Sequence, residues 1–486
     1  MKMLDGAGML PHNRPMDAIV TGHVCIDLTP GLHLHHPVRT VSEMIRPGCL
    51  LDVSGLTVSP GGAVSNTGLS LARMGVAVGL IGRVGTDSLA QMLRQELAVA
   101  GAHAQTELVQ DGSAGTSYSV ILPIPGVDRI FLHDSGANDN FSVQDLVHGL
   151  SRLGGATPGD AAPRLMHFGY PTAVASMYRD GPAPLRELLS AARERGMTVS
   201  VDFSLPDPEG EAAAAPWREI LAEAMPLTDL CFPSIEELSL MIDPAGFAER
   251  ERTGAGAQSF SCDYAYLLAG ELVTMGAAVV VVKLGGRGLL LRWDPMAGER
   301  LQDTGAIDLA ERLPAAGPGG SAGPDGLPSG GPVGLGARAG HAEPAVPPPA
   351  CSARSRDLDD SATPADTAID ALLVPSYPVE QVVSATGAGD TAIAGFLAAL
   401  LAGGSILDAA ETGCVAGRNA VTTVDAVSSV QPLAVMEQFR RTASHRSEVT
   451  IEDDSAWQRR TDGAFEHRAP TGMTTDTDMT TRRRRV

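Results

Sequence analysis

The sequence predicts an α/β fold with a mainly parallel central sheet, flanking helices and a small β lid. Short apolar runs recur along the chain, and most do not alternate with polar residues, which is typical of strands buried on both faces of a parallel sheet. Helical patterns lie between these runs, and this alternation indicates right-handed crossover connections. The predicted strands are 18–22, 76–81, 165–168, 198–202, 230–232 and 279–283, and the predicted helices include 63–74, 88–100, 184–195 and 235–242.

The lid is predicted from two stretches, approximately 28–58 and 114–134, that have the pattern of extended, alternating chain. Within the second stretch, residues 125–128 (Pro-Gly-Val-Asp) separate two apolar segments and have the composition of a β-turn. A small antiparallel sheet standing off the main one is therefore expected. Its exposed edge could pair with a second copy of the chain, which makes a homodimer through the lid a possibility.

The composition excludes several classes of protein. The chain has 486 residues and a formal net charge of -21, and this acidic balance argues against a nucleic-acid partner, although a single nucleotide needs only a few cationic groups. Its six cysteines form no Cys-x-x-Cys pair, which is typical of a reduced, cytoplasmic protein. Residues 1–15 lack the apolar stretch of a signal peptide, and the run 392–404 is too short to cross a bilayer, so no membrane association is expected.

The chain is expected to form one folded domain from two parts, residues 16–296 and 371–440. Between them, residues 297–370 are rich in Gly, Pro and Ala, and because such a segment buries too little apolar surface it is predicted to be a disordered insertion. Residues 1–15 and the polar, charged residues 441–486 are predicted to be a flexible leader and a flexible tail.

One segment carries the strongest chemical signal. Residues 385–391 read Ala-Thr-Gly-Ala-Gly-Asp-Thr and precede an apolar helical stretch. Glycines before a helix let backbone N–H groups converge, and the helix N-terminus adds positive potential, so this turn suits the charge of a transferred phosphoryl group. Asp390 lies in the first turn, where its carboxylate either accepts a proton from an attacking hydroxyl or caps the helix. The pattern alone leaves both roles open.

Two signatures resemble those of the PfkB (ribokinase-like) family of carbohydrate kinases. The second signature of that family resembles residues 386–391 with the Ala-Gly-Phe that follows at 394–396. The first resembles residues 61–75, which begin Gly-Gly-Ala-Val-Ser-Asn, with Gly-Arg-Val-Gly-Thr-Asp at 82–87. With the connecting strands, the resemblance covers about residues 17–296 and 371–433.

The resemblance implies a ribokinase-like fold and an ATP-dependent kinase that phosphorylates a hydroxyl of a sugar or sugar-like molecule. It makes Asp390 the general base, and it makes the backbone of Gly387, Ala388 and Gly389 the anion hole. It also implies that the acceptor is held by Asp27, Gly61, Gly62 and Asn66. Turn formation by Asp27 and helix capping by Asn66 are the alternative roles of those two residues.

The resemblance further implies ATP and Mg²⁺ as cofactors. Residues that would contact the nucleotide are Lys283, Gly285, Gly288 and Thr386. Glu237 matches the glutamate of the family's Asn-x-x-Glu metal motif, but Ser234 replaces its asparagine, and a solvated glutamate at a helix start is the alternative. Ser384 lies where many members carry an aspartate that helps to bind a monovalent cation, which argues against activation by potassium.

The acceptor itself stays open at this stage. A nucleoside kinase shares both signatures, but it needs an aromatic or apolar slot, and the lid contains few aromatic residues. A phosphosugar kinase needs a cationic cluster, for which Arg46, Arg73 and Arg129 are candidates, while a surface salt bridge is the other role of Arg129. A sugar-binding regulator without catalysis is the alternative outside enzymes, motivated by the substitutions at Ser234 and Ser384.

Overall fold

The structure is a computed structural model, and it describes most of the chain. The described residues are 16–32, 47–48, 50–100, 104–124, 129–154, 162–252, 260–314, 367–423, 425, 427–443, 446–449, 451 and 457–470. The predicted leader, most of the predicted insertion and Arg46 therefore lie outside the described residues.

A large sheet forms the centre of the described chain. It contains eleven strands. Seven neighbouring strands on one side of the sheet are mutually parallel, and the remaining four pair antiparallel. In spatial order the strands are β14 (Trp457–Arg459), β15 (Phe465–Pro470), β13 (Thr367–Val374), β12 (Leu289–Trp293), β11 (Val279–Lys283), β10 (Leu230–Phe232), β9 (Thr198–Asp202), β8 (Leu165–Gly169), β1 (Ala18–Gly22), β4 (Val78–Val84) and β5 (Ala104–Gln110).

Helices cover both faces of this sheet. The described α-helices are α1 (Gly62–Arg73), α2 (Ser88–Ala100), α3 (Val143–Arg152), α4 (Ala183–Arg193), α5 (Trp217–Ala224), α6 (Ile235–Ile242), α7 (Pro244–Glu251), α8 (Cys262–Thr274), α9 (Gly298–Gln302), α10 (Ala388–Leu401), α11 (Ile406–Ala420) and α12 (Leu433–Thr442). Neighbouring residues of β1 belong to opposite cores: Val20 packs on one face and Ile19 on the other. This double burial explains why the apolar runs of the central strands do not alternate with polar residues.

The predicted small sheet is confirmed, although its topology differs from the prediction. Its four strands, in spatial order, are β3 (Val53–Gly61), β2 (Cys25–Leu32), β6 (Tyr118–Leu122) and β7 (Ile130–Asp134). The outer pairs are antiparallel, but β2 and β6 run parallel, so the sheet is not wholly antiparallel as expected. The outer strands expose large apolar side chains, namely those of Val53, Leu56, Phe131 and Leu132. The homodimer through this sheet stays a prediction.

The start of the predicted insertion needs correction. Residues 297–314 belong to the folded domain: α9 begins at Gly298, and the side chains of Leu301, Ile307 and Leu309 are buried in the core. The composition did not indicate a folded segment here, because the apolar residues are isolated among polar ones. Strand β13 likewise begins at Thr367, inside the range assigned to the insertion.

The predicted flexible tail is also corrected. Strands β14 and β15 extend the large sheet beyond β13, and Trp457 and His467 are buried there. Residues 471–486 lie outside the described residues. Within the described part of the chain, no helix has the length and apolar character needed to span a membrane.

Candidate active site

Two cavities lie on either side of the N-terminus of α10. The larger, about 570 Å³, is bordered by the carboxyl ends of β9 and β11 and by residues 387–390. The smaller, about 270 Å³, lies between the small sheet and α1, and its lining includes Asp27, Asn66 and Arg129. Ligands of open α/β sheets bind at the carboxyl ends of the strands, so the larger cavity has the expected location for one.

Asp390 is hydrogen-bonded to residues that line each of the two cavities. Its Oδ1 accepts hydrogen bonds from the hydroxyls of Tyr170 (2.6 Å) and Thr67 (3.3 Å), and its Oδ2 accepts one from the amide of Asn66 (3.1 Å). Tyr170 lines the larger cavity and Asn66 lines the smaller. Burial raises the pKa of Asp390, while hydrogen bonds from Tyr170 and the charge of Lys283 oppose that rise.

The turn before α10 has the geometry that the sequence predicts for an anion site. Gly387 adopts φ 70°, in the left-handed region that favours glycine. The amide of Ala388 donates to the carbonyl of Ala385 at 3.2 Å, whereas first-turn amides such as those of Gly389 and Asp390 have no acceptor within a helix. All four residues from Gly387 to Asp390 line the larger cavity, so these amides are positioned beside it.

A buried group of charges lies opposite that turn. Nζ of Lys283, at the end of β11, lies 2.5 Å from Oδ1 of Asp202 and 3.8 Å from Oε2 of Glu237. Burial alone would lower the pKa of Lys283, but the charges of the two carboxylates outweigh it and hold the pKa above its ordinary value. Glu237 also closes the capping box of α6, because the backbone amide of Ser234 donates to its Oε2 at 2.6 Å. The helix-start role of Glu237 therefore coexists with its place in the larger cavity.

Asp27 lies in the smaller cavity, within β2 of the small sheet. β1 ends at Gly22, and Asp27 is the third residue of β2. Cys25 donates from Sγ to Oδ1 of Asp27 at 3.4 Å, and burial raises the pKa of Asp27 from 3.8 to about 6. A Cβ at Gly61 would lie 2.3 Å from Oδ2 of Asp27, so any other residue at this position of β3 would force the carboxylate to move.

The other predicted site residues divide between the cavities. Gly285 and Gly288, assigned to the nucleotide, line the larger one together with Lys283. Thr386, also assigned to the nucleotide, instead lines the smaller cavity and accepts a hydrogen bond from the guanidinium of Arg129. Gly62 packs against His23 and is absent from the lining of both cavities. Arg73 and Arg129, which no pattern placed together, both line the smaller cavity.

Comparison with known proteins identifies the family. The model of the pfkB family of carbohydrate kinases matches residues 19–292 and 368–433. The chain belongs to the pfkB family of carbohydrate kinases. It is therefore an enzyme, a phosphotransferase that acts on an alcohol group.

Solved structures confirm the ribokinase-like fold. Ribokinase from Arabidopsis thaliana, in complex with ribose and ATP, matches with a TM-score of 0.55 at 14% identity, over 87% of this chain and 98% of that one. A putative ribokinase II from E. coli, in complex with ATP and Mg²⁺, matches with a TM-score of 0.53 at 17% identity, over 88% and 99%. Ribokinase from Giardia lamblia has a TM-score of 0.54 at 14% identity, over 87% and 98%.

Sequence reasoning missed three polar residues of this pfkB-family site. Asp202 is the last residue of β9, Tyr170 directly follows β8, and Thr67 lies one residue after Asn66 on α1. The first two stand at the carboxyl ends of parallel strands. Applying the strand-end rule to every predicted strand would have found both. Thr67 carried no signal of its own, since its role depends on how α1 packs against α10.

Proposed function

We propose that this chain is an ATP-dependent kinase that phosphorylates a hydroxyl of a sugar or sugar-like acceptor, with Asp390 as the general base. The observation that carries the proposal is that the two carboxylate oxygens of Asp390 are hydrogen-bonded to residues of different cavities. One oxygen is bonded to Tyr170 of the larger cavity and the other to Asn66 of the smaller. A phosphoryl donor in the first cavity and a hydroxyl in the second would therefore meet at this carboxylate.

The larger cavity suits the nucleotide. Its volume of about 570 Å³ lies within the range of small-molecule sites, and it holds the amides of the Gly387 turn and the ammonium of Lys283. Oriented amides and a fixed cation stabilise the charge of a phosphoryl group in transfer. The E. coli ribokinase II mentioned above was solved with ATP and Mg²⁺, which supports the same ligands here.

The described residues also fit a magnesium ion. Oδ2 of Asp202 is buried and has no hydrogen-bond partner among the described residues, and Glu237 lies in the same cavity. Mg²⁺ usually takes one or two protein carboxylates together with substrate phosphates, so these two would hold it. When bound, the ion supplies positive charge that neutralises the phosphate oxygens.

The smaller cavity suits the acceptor. Asp27 and Asn66 provide the acceptors and donors that grip vicinal hydroxyls, and Thr29, Thr57 and Ser59 add hydroxyls to the lining. The bound hydroxyl would give its proton to Asp390 as it attacks phosphorus in line, while the small sheet excludes water that would otherwise be phosphorylated.

A specific observation favours a second class of acceptor. Arg73 and Arg129 both line the smaller cavity, and guanidinium groups pair well with carboxylates and phosphates. A sugar acid or a phosphosugar is therefore the second candidate. The described lining of this cavity contains no aromatic side chain, but it includes apolar ones such as Leu69, Ile121 and Val427, so the nucleoside alternative stays open.

The test is turnover of ATP with a panel of pentoses, hexoses, sugar acids, phosphosugars and nucleosides, using wild type and Asp390→Asn. The variant should bind ATP normally but lose about 10²–10⁴-fold in kcat, the usual contribution of a positioned base. Asp408→Asn is the matched control, since Asp408 lies in the first turn of α11 and caps it. If Asp390 only caps its helix, both variants will lose stability and neither will lose turnover. A sugar-binding regulator would bind panel members without turning over ATP.

A further inference from the structure

Tyr170 has an unusual backbone conformation. With φ 65° and ψ 55° it is in the left-handed region, and it is the one non-glycine residue with positive φ among the described residues. An aromatic residue is seldom found there, and such outliers persist only where the surroundings hold them. Here the backbone amide of Tyr170 donates to the carbonyl of Asp202 at 3.0 Å, directly after β8.

This conformation brings the phenol to Asp390. The hydroxyl of Tyr170 donates to Oδ1 at 2.6 Å, and its ring packs against that of His23 with centroids 5.9 Å apart. Burial raises the pKa of Tyr170 well above its ordinary value, so the phenol keeps its proton and acts as a donor.

The two oxygens of Asp390 are not equivalent. A carboxylate oxygen has about two lone-pair sites, and Oδ1 uses both, for the hydroxyls of Tyr170 and Thr67. Among the described residues, Oδ2 accepts one hydrogen bond, from Asn66 of the smaller cavity. A further donor therefore has a site at Oδ2, on the side of the acceptor cavity.

We propose that Tyr170 is a positioning residue that, together with Thr67, fixes Oδ1 of Asp390, so that Oδ2 receives the proton of the acceptor hydroxyl. The proposal rests on the proposed function, in which Asp390 is the base. The O–H bond of the acceptor breaks, an O–H bond forms at Oδ2, and the electron pair left on the acceptor oxygen forms the new bond to the γ-phosphorus of ATP. The bond from that phosphorus to the bridging oxygen breaks, and its electron pair leaves with ADP.

The phenol also helps to keep the base ionised. Burial raises the pKa of Asp390, and the hydrogen bond from Tyr170 is the largest influence that opposes the rise. The titratable groups that face Asp390 from the surrounding elements are Lys283 on β11, Asp202 on β9, Asp27 and Cys25 on β2, and Tyr170 itself. Of these, Lys283 also favours the carboxylate, but it is already paired with Asp202.

The test is the pH profile of kcat for Tyr170→Phe at saturating acceptor and ATP. Loss of a hydrogen bond to a charged group should move the acid limb of kcat to higher pH by roughly 1–2 units. The loss of kcat should therefore be large near neutral pH and should shrink as pH rises, with little change in the ATP dissociation constant. Thr67→Val removes the other donor to Oδ1 and should move the limb in the same direction, so it provides the same test if Tyr170→Phe folds poorly.

Tyr264→Phe is the matched control. Its hydroxyl also donates to a carboxylate, Oδ2 of Asp243 at 2.8 Å, but outside both cavities, so it should leave the limb in place. A pH-independent loss in Tyr170→Phe would overturn the proposal, as would a gain in kcat, which would mean that the phenol occupies the position of the acceptor hydroxyl. Asp390→Asn distinguishes the two failures: if that variant is inactive while Tyr170→Phe keeps the wild-type limb, only the role of Tyr170 is wrong.

Discussion

The ammonium group of Lys283 lies 2.5 Å from Oδ1 of Asp202 in the interior of the larger cavity. Removing one partner of a buried pair leaves the other charge without compensation, which costs about 3–5 kcal/mol. Glu237 is a second carboxylate of the same group, so Lys283 is the cation beside both. Removing Lys283 should therefore destabilise the domain as well as change the charge of the site.

We expect Lys283→Met to lower the free energy of unfolding by about 3–5 kcal/mol, measured by urea denaturation. If Lys283 contacts the nucleotide, the variant should also bind ATP about ten- to a hundredfold more weakly by calorimetry, as expected for the loss of a charged hydrogen bond. The double variant Lys283→Met/Asp202→Asn should recover much of the stability but not the affinity. Unchanged affinity in the single variant would remove Lys283 from the nucleotide site.

The raised pKa of Asp27 predicts opposite effects of pH on activity and stability. Acceptor hydroxyls bind the ionised carboxylate, so kcat/KM for the acceptor should fall as pH drops below about 6, while the ATP dissociation constant stays nearly unchanged. The folded protein favours the protonated acid. The stability due to this group is therefore fully present below pH 3.8 and is lost, by about 3 kcal/mol, as pH rises through about 6.

The variant Asp27→Asn tests whether Asp27 is the titrating group that causes both pH effects. The free energy of unfolding of wild type minus that of the variant should decrease between pH 4 and pH 7.5, and the acceptor's kcat/KM should lose its dependence on pH near 6. A difference in stability that stays constant over this range would show that Asp27 does not titrate there. Weaker ATP binding with normal acceptor kinetics would mean that the two cavities have been assigned the wrong way round.

Two changes in the region between β12 and β13 should differ in their effect on stability. Leu309 is fully buried, so Leu309→Ala should lower the free energy of unfolding by about 2–5 kcal/mol. Replacing residues 320–362 with a short Gly-Ser linker should leave the thermal midpoint and kcat nearly unchanged, because the composition of that stretch offers no core. Thermal denaturation and turnover assays of both proteins decide this, and a destabilised linker variant would show that the replaced stretch is structural.

The sequence predicted the parts of the site that are contiguous in the chain. The turn from Gly387 to Asp390 was found because its amides and its carboxylate lie within one helix start, where local geometry determines the arrangement. The contacts of Asp390 with residues from distant segments could not be found this way. Tyr170 and Asn66 are 220 and 324 residues away from it, and no periodicity records which strand ends and helices will pack together.

The C-terminal strands were missed for a different reason. Residues 465–470 read Phe-Glu-His-Arg-Ala-Pro, and their charged side chains resemble those of a solvated tail. Pairing with β13 nevertheless buries Glu466 and His467, and both have partners: His467 lies 2.7 Å from the buried Asp370, and Glu466 accepts hydrogen bonds from the partly exposed Arg460 and Arg468. A strand that contributes polar networks to the outer part of a sheet thus carries a weak hydrophobic signal.

This arrangement predicts that the C-terminal strands are essential to the fold, although the family model ends at residue 433. A chain that stops after residue 451 loses Trp457, whose indole donates to Asp263 at 3.2 Å, and exposes the edge of β13. Its free energy of unfolding should fall by at least the ~3–5 kcal/mol typical of Trp→Ala, and the bare edge should promote aggregation.

A chain that stops after residue 470 keeps both strands and serves as the control, which should match the full chain in thermal midpoint. Denaturant unfolding and light scattering compare the three proteins. Equal stability of the shorter chain would mean that β14 and β15 do not stabilise the domain.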